Sequence, residues 1–333
     1  MATDGNAERP LFSAVSNSAR QLFLLLRCIS FAPKAQVQIT QKGLRFSAEE
    51  SQVMQGLVFL EKSLFTSYTY TKPVNENIDD DDDEDTFPIF QISLSSLLET
   101  LQIFGINDIK DRSTNHEASY GANGAFARGG AASAFETRFL GMTGMCRLSY
   151  AADGDPLRIT LEETGVTTNC ELTTFEPEFR EEILLQRENL AQKIIMRASW
   201  LHDAINELSS TSPSRLTIAA SPSAPYFTLS SNGPLGSAMV EFSKDPQLLE
   251  TFQVPSRTVN TYKYSLIKSA SRAMEIASKV SIRCDEQGVL SLQFMIEVEG
   301  GGVSFVDFRF VPYLSQDDEG DEEGDTVEDV GSE

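Results

Sequence analysis

The chain has 333 residues, 41% of them hydrophobic and 23% charged, with a formal net charge of −22. That length holds two ordinary domains, each able to bury a core, and the longest apolar block, Leu22 to Leu26, is far too short to span a bilayer. The charge excludes less than its size suggests, because seven acids lie in Asp79–Asp85 and ten in Asp317–Glu333, which leaves the remainder at about −5.

Taken in chain order, the spacing predicts a first helix over about Asn17 to Ile29, with Ala19, Leu22, Phe23, Leu26 and Ile29 on one stripe. Alternation then predicts a hairpin, Val37–Thr40 and Leu44–Phe46 around Gln41-Lys42-Gly43. Lys72–Thr86 carries the first acidic block and reads as a long loop. A strand over Pro88–Ile92 leads into a second helix bearing Leu94, Leu97, Leu98, Leu101 and Phe104 on one face. Ile106–Glu136 is rich in Gly, Ala, Ser and Asn, a composition that cannot fill a core, and reads as a disordered insertion. Strands follow at Cys146–Tyr150 and Leu157–Leu161. The charged stretch Phe175–Asn189 makes a natural connector.

Beyond it, a third helix capped at Ser199 presents Leu201, Ala204, Ile205 and Leu208. A hairpin pairs Leu216–Ile218 with Tyr226–Leu229. A fourth helix presents Leu266, Ala270, Ala273 and Ala277, and strands follow over Val280–Cys284, Val289–Ile296 and Val306–Phe310. The acidic tail reads as disordered and self-repelling.

Two rough copies of one helix-and-strand unit, with no catalytic motif, point to a scaffold and not to an enzyme. A metal-dependent nuclease needs converging carboxylates, and a contiguous acidic run in a flexible loop cannot form such a cage. His116 falls in the insertion and His202 on the third helix, so neither a triad nor a zinc site assembles from them. Gly233-Pro234-Leu235-Gly236 and Gly300-Gly301-Gly302 read as turns, outside the context of a phosphate loop. Cys28, Cys146, Cys170 and Cys284 form no CxxC pair and read as buried thiols of a reducing compartment. No signal-peptide pattern opens the chain, so the expectation is a soluble intracellular protein.

Several stretches carry a more specific likeness. Val280-Ser281-Ile282-Arg283, Gly288 to Ile296 and Phe305-Val306-Asp307 resemble the Rad-one subunits of the DNA-damage checkpoint clamp, the nine-one-one ring. Leu97 to Gly105, Pro225 to Ser230 and Val259 to Leu266 support the same likeness, in the right order, over about residues 10–315. The layout is more distantly similar to proliferating cell nuclear antigen, the replication clamp. The resemblance implies an α+β sliding-clamp fold of two similar domains, each with two helices on antiparallel sheets. Domain 1 would cover 10–174, the connector 175–189, domain 2 190–315 and the tail 316–333.

It further implies a non-catalytic subunit of a heterotrimeric nuclear ring with two other clamp subunits. A clamp loader would place that ring around double-stranded DNA without sequence preference, and it would recruit repair and checkpoint proteins. No cofactor, metal or membrane is expected. A homotrimeric replication clamp and a metal-dependent 3′–5′ exonuclease are the alternatives. Clamp kinship turns Arg20, Arg27, Lys268, Arg272 and Lys279, which spacing alone also fits to a solvated face, into candidate DNA-facing bases. It makes Phe175, Glu176 and Phe179 candidate client contacts on a connector that could equally be an inert linker. Helix two offers Ser95, Ser96, Glu99 and Thr100 outward, and helix three His202, Asn206 and Glu207, so DNA contact through this subunit should be weak.

Overall fold

Ser18 and Ser93 each turn the chain from a strand into a helix. The Ser18 hydroxyl accepts from the Gln21 amide at 3.2 Å and that of Ser93 from the Ser96 amide at 3.2 Å, satisfying first-turn donors that have no partner within the helix. The computed structural model describes residues 10–71, 87–103, 145–163, 165–178 and 182–313. The acidic loop, the insertion, Phe104, His116, Phe179 and the acidic tail lie outside them.

The first half runs β1 (Phe12–Ser16), α1 (Ala19–Arg27), β2 (Lys34–Ile39), β3 (Gly43–Glu50), β4 (Met54–Glu61), β5 (Ser67–Tyr70), β6 (Ile89–Ser93), α2 (Leu94–Gln102), β7 (Met145–Tyr150), β8 (Leu157–Glu163) and β9 (Val166–Leu172). The second runs β10 (Leu190–Arg197), α3 (Ala198–Leu208), β11 (Arg215–Ala220), β12 (Phe227–Gly233), β13 (Gly236–Phe242), β14 (Leu249–Gln253), β15 (Thr258–Lys263), α4 (Tyr264–Ser269), α5 (Ser271–Ile276), β16 (Lys279–Asp285), β17 (Leu290–Glu297) and β18 (Val303–Phe310). Each half repeats one order of strands and helices.

The strands form three antiparallel sheets. One is β5-β1-β7-β8-β9, one is β13-β12-β11-β15, and the nine-stranded sheet β14-β10-β16-β17-β18-β4-β3-β2-β6 joins the two halves where β18 pairs with β4. Helices α1 and α2 lie side by side, as do α3 and α5, and all pack on the sheets. At the join, fully buried Phe308 packs with Phe294, Phe310 and Phe31. Opposite it, Gly56 leaves room for that packing. A Cβ there would lie 2.8 Å from Ile29 and from Phe31.

The fourth predicted helix is two. Ala270, at φ −80° and ψ 0°, separates α4 from α5, and Ala277 has already left the helix with extended backbone. Lys279 consequently opens β16 instead of continuing a helical face. The third helix starts at Ala198, one residue ahead of the expected cap, and Arg197 before it makes no capping bond. Thr100 is buried, its hydroxyl donating to the Ser96 carbonyl at 2.8 Å, so it does not face outward. Among the described residues no helix is long and apolar enough to cross a membrane. Burial pushes the Cys28 and Cys146 thiols up to about 12 and Cys284 to about 11, which keeps them protonated.

Candidate functional site

Helices α1 and α2 pack together, as do α3 and α5, and the charges of the two pairs meet across the two halves. Burial and the nearby Arg272 charge pull the Arg27 guanidinium below its ordinary value, while Glu275 works against them. Arg27 on α1 and Arg272 on α5 thus converge, with Arg272 exposed and Arg27 half-buried, its guanidinium 5.7 Å from the Phe23 ring. Arg20 is half-buried two turns before Arg27, and Lys268 is exposed on α4. Lys279 stands apart, with its ammonium 2.7 Å from Glu250. His202 is half-buried between Asn206 at 3.0 Å and Glu275 at 3.9 Å. Against these few bases stand Glu99, Asp203, Glu207 and Glu275, all exposed. A layer so evenly balanced can touch phosphates but cannot hold them strongly.

The sheets supply the second component. The nine-stranded sheet is a five-strand block ending in β18 joined to a four-strand block beginning with β4. The other two sheets are the same blocks from the opposite halves, unjoined: five strands ending in β9 and four beginning with β13. Registers match across the halves. Gln36 pairs with Ser47 and Ser47 with Leu57, as Thr217 pairs with Ser230 and Ser230 with Met239. Val240 therefore corresponds to Val58, which is fully buried against Val306 of β18. Val240, Ala238, Cys170 and Leu172 are instead only partly buried, and Met239 is 65% exposed. Among the described residues these edges are unpaired and bear half-covered apolar side chains, a surface that can accept an added strand.

The connector lies on the outer face of the nine-stranded sheet. Phe175 exchanges backbone hydrogen bonds with Gln91 of β6 at 2.9 and 2.8 Å, and the Lys34 ammonium sits 5.5 Å from its ring. Glu176 is exposed beside it. Farther along, Glu182 pairs with Arg45 of β3 at 2.7 Å and lies 3.8 Å from Arg309 of β18, whose guanidinium donates to the Ile183 carbonyl at 2.7 Å. The Gln186 amide donates to Asp285 at 3.1 Å. Beneath the strap, Asp307 accepts from Ser291 at 2.7 Å and faces Arg309 at 3.4 Å and Arg283 at 3.7 Å. On the first half, a polar cavity of about 260 Å³ is lined by Glu178 and Glu182 of the connector and by Gln36, Gln38, Arg45 and Gln55 of the sheet.

Sequence reasoning missed this network. Arg283, Ser291, Asp307 and Arg309 sit at the polar positions of alternating strands, and alternation cannot tell solvent from a covering strap. It also missed Phe305, 40% exposed and paired with Met295, one step along β18 from the Val306–Val58 pair. With half-buried Met295 it forms an apolar patch on the outer face. Among the described residues no group of three or more His, Cys, Asp or Glu is placed to hold a metal ion.

Comparison with known proteins agrees with this architecture. Residues 11–296 match the family described as Repair protein Rad1/Rec1/Rad17. The DNA damage checkpoint control protein rad1 of Schizosaccharomyces pombe is 35% identical over 93% of this chain and 89% of its own. The human cell cycle checkpoint protein RAD1 is 31% identical over 93% of this chain and 94% of its own. A more distant relative, the DNA repair exonuclease REC1 of Mycosarcoma maydis, is 27% identical over 45% of this chain and 39% of its own. In fold, PCNA from Thermococcus kodakaraensis superposes with a TM-score of 0.62 at 17% identity, over 90% of this chain and 99% of that one.

Proposed function

This chain belongs to the Rad1/Rec1/Rad17 family of repair proteins, and from that premise we propose that it is a non-catalytic subunit of a mixed checkpoint clamp. It has the sliding-clamp fold, and its role in the DNA-damage checkpoint is to encircle duplex DNA as one third of a ring. The observation that carries the ring is the repeated join. What β18 and β4 do inside the chain, β9 and β13 do with the two neighbours. Unlike edges at opposite ends make a head-to-tail contact, which closes when the rotation per subunit allows it. The chain divides functionally at the connector, near residues 175–189, into two similar halves, each one sixth of the ring.

Arg20, Arg27, Lys268 and Arg272 face the DNA; Lys279, tied to Glu250, does not. The balanced helical layer supports a ring with unlike subunits, in which others carry most of the phosphate contact. Clients that repair or signal dock on the outer face, at the connector and the Phe305 patch, and the ring works in the nucleus. The exonuclease name of one partial relative favours a catalytic reading, which predicts metal-dependent nucleotide release that survives purification to homogeneity.

Size-exclusion chromatography with light scattering tests the assignment, on this chain alone and co-expressed with two further clamp subunits. A monomer that enters a one-to-one-to-one ring is the expected result. A homotrimer, or no assembly, would overturn it. In the assembled ring, the double substitution Arg27→Glu and Arg272→Glu is expected to lower the slope of log affinity against log salt for duplex DNA by about 2. An unchanged slope would place these bases away from the phosphates.

A further inference from the structure

The internal join shows what a filled strand contact needs. Its inward row opposes Phe310 to Met54, Phe308 to Gly56 and Val306 to Val58, and the five side chains are at most 1% exposed. The same row can be located on each free edge, because the strands of the two halves run in step. Leu157 opens β8 opposite Leu172, the last residue of β9, as Leu290 opens β17 opposite Phe310, the last of β18. Ile159 then pairs with Cys170 where Leu292 pairs with Phe308, and Leu161 with Thr168 where Phe294 pairs with Val306. On the other edge, Ser231 pairs with Ala238 where Ala48 pairs with Gly56, and Gly233 with Gly236 where Glu50 pairs with Met54. Leu172, Cys170 and Thr168 thus hold the places of Phe310, Phe308 and Val306. Gly236, Ala238 and Val240 hold those of Met54, Gly56 and Val58.

Resting on the ring reading, we infer that Cys170 and Ala238 are the specificity-determining residues of the two edges. They leave each edge short of bulk, so the edges do not accept one another. Each takes an unlike chain whose strand carries a large apolar side chain at the facing place.

Between two copies of this chain, Cys170 would face Ala238 and Leu172 would face Gly236. Nothing in that row replaces the Phe308 ring or the Met54 side chain, and Thr168 brings a hydroxyl to the place of Val306. A close-packed interior does not collapse around such a gap, and replacing a core phenylalanine by a small residue shifts an equilibrium by at least about a hundredfold. The backbone ladder cannot discriminate, because any free edge can bond to any other. Side-chain fit across the strands can. Cys170, Leu172, Ala238 and Val240 already pack against this chain's own core and are only partly covered, so the missing volume lies on the neighbour's side. Small residues also keep the free edges from presenting aromatic surface to solvent.

The test uses the full chain, alone and with each of the two other subunits, read by light scattering. Cys170→Phe with Ala238→Gly rebuilds the Phe308–Gly56 pair between two copies. This double variant is expected to self-associate at concentrations where the unsubstituted chain is monomeric, and adding Val240→Arg should abolish that association. With the other subunits, Cys170→Phe is expected to crowd the facing side chain and weaken the β9-side contact about tenfold, leaving the β13-side contact unchanged. Ala238→Phe should do the reverse, and it carries the test if thermal unfolding shows that Cys170→Phe does not fold. A folded double variant that stays monomeric, association that survives Val240→Arg, or unchanged binding by the aromatic variants would each overturn the inference. If the unsubstituted chain forms no ring with the two subunits, the ring reading itself has failed, which is a separate result.

Discussion

Val240→Arg is expected to leave the isolated chain folded and to weaken its assembly through β13 by at least about a hundredfold. In the free chain Val240 is only partly buried on an edge strand, so an arginine stem can lie along the surface with its head in water. In the ring it takes the place that Val58 holds in the internal join, where Val58 is 0% exposed opposite Val306. An unpaired charge in such a place costs about 3–5 kcal/mol, and each 1.4 kcal/mol is about tenfold in affinity. Light scattering of the co-expressed subunits reads the effect, and thermal unfolding of the chain alone checks the fold. Assembly at the unsubstituted affinity would mean that β13 is not a ring edge. The same substitution leaves the β9 edge untouched, so a binary complex with the other neighbour should persist.

How much of this was legible in the sequence depends on whether the cause is local. The alternation through Val280–Cys284 and Val289–Ile296 fixes β16 and β17 because each strand buries one side: Ile282 and Leu292 inward, Ser281 and Gln293 outward. The stripe of Leu266, Ala270, Ala273 and Ala277 has a helical period too. Yet a period cannot show that Ala270 closes one helix and opens another, since alanine favours helix on both sides of the break. That break is why Lys279 lands on a strand beside Glu250 and not on the basic face. The bases Arg27 and Arg272 were visible singly, but their convergence depends on the β18–β4 join, between strands more than two hundred residues apart in sequence. Which edges meet partners could not be read from the sequence; the assignment proposed for β9 and β13 rests on the strand order, in which they take the places of β18 and β4.

The connector shows the same limit from the energetic side, and Asp307→Ala tests it. Burial draws the Arg283 guanidinium below its ordinary value, and the Asp307 charge opposes that shift. Removing the carboxylate would leave Arg283 and Arg309, both about nine-tenths buried, without their shared counter-ion, and Ser291 without its acceptor. Breaking a buried pair from one side costs about 3–5 kcal/mol, because the stranded charge keeps its desolvation penalty. Asp307→Ala is therefore expected to lower unfolding stability by that amount in urea titration. Asp307→Asn, which keeps an acceptor for Ser291 and loses only the charge, should cost less. The loss has a direction as well as a size. Arg309 holds the Ile183 carbonyl and lies near Glu182, so its release frees the middle of the strap while Phe175 stays bonded to Gln91. Hydrogen exchange should accordingly quicken at Ile183 to Gln186 and remain slow at Phe175. A loss below about 1 kcal/mol with unchanged exchange would show that Arg309 grips the connector without Asp307. The network would then be a feature of the sheet alone, with no part in holding the connector.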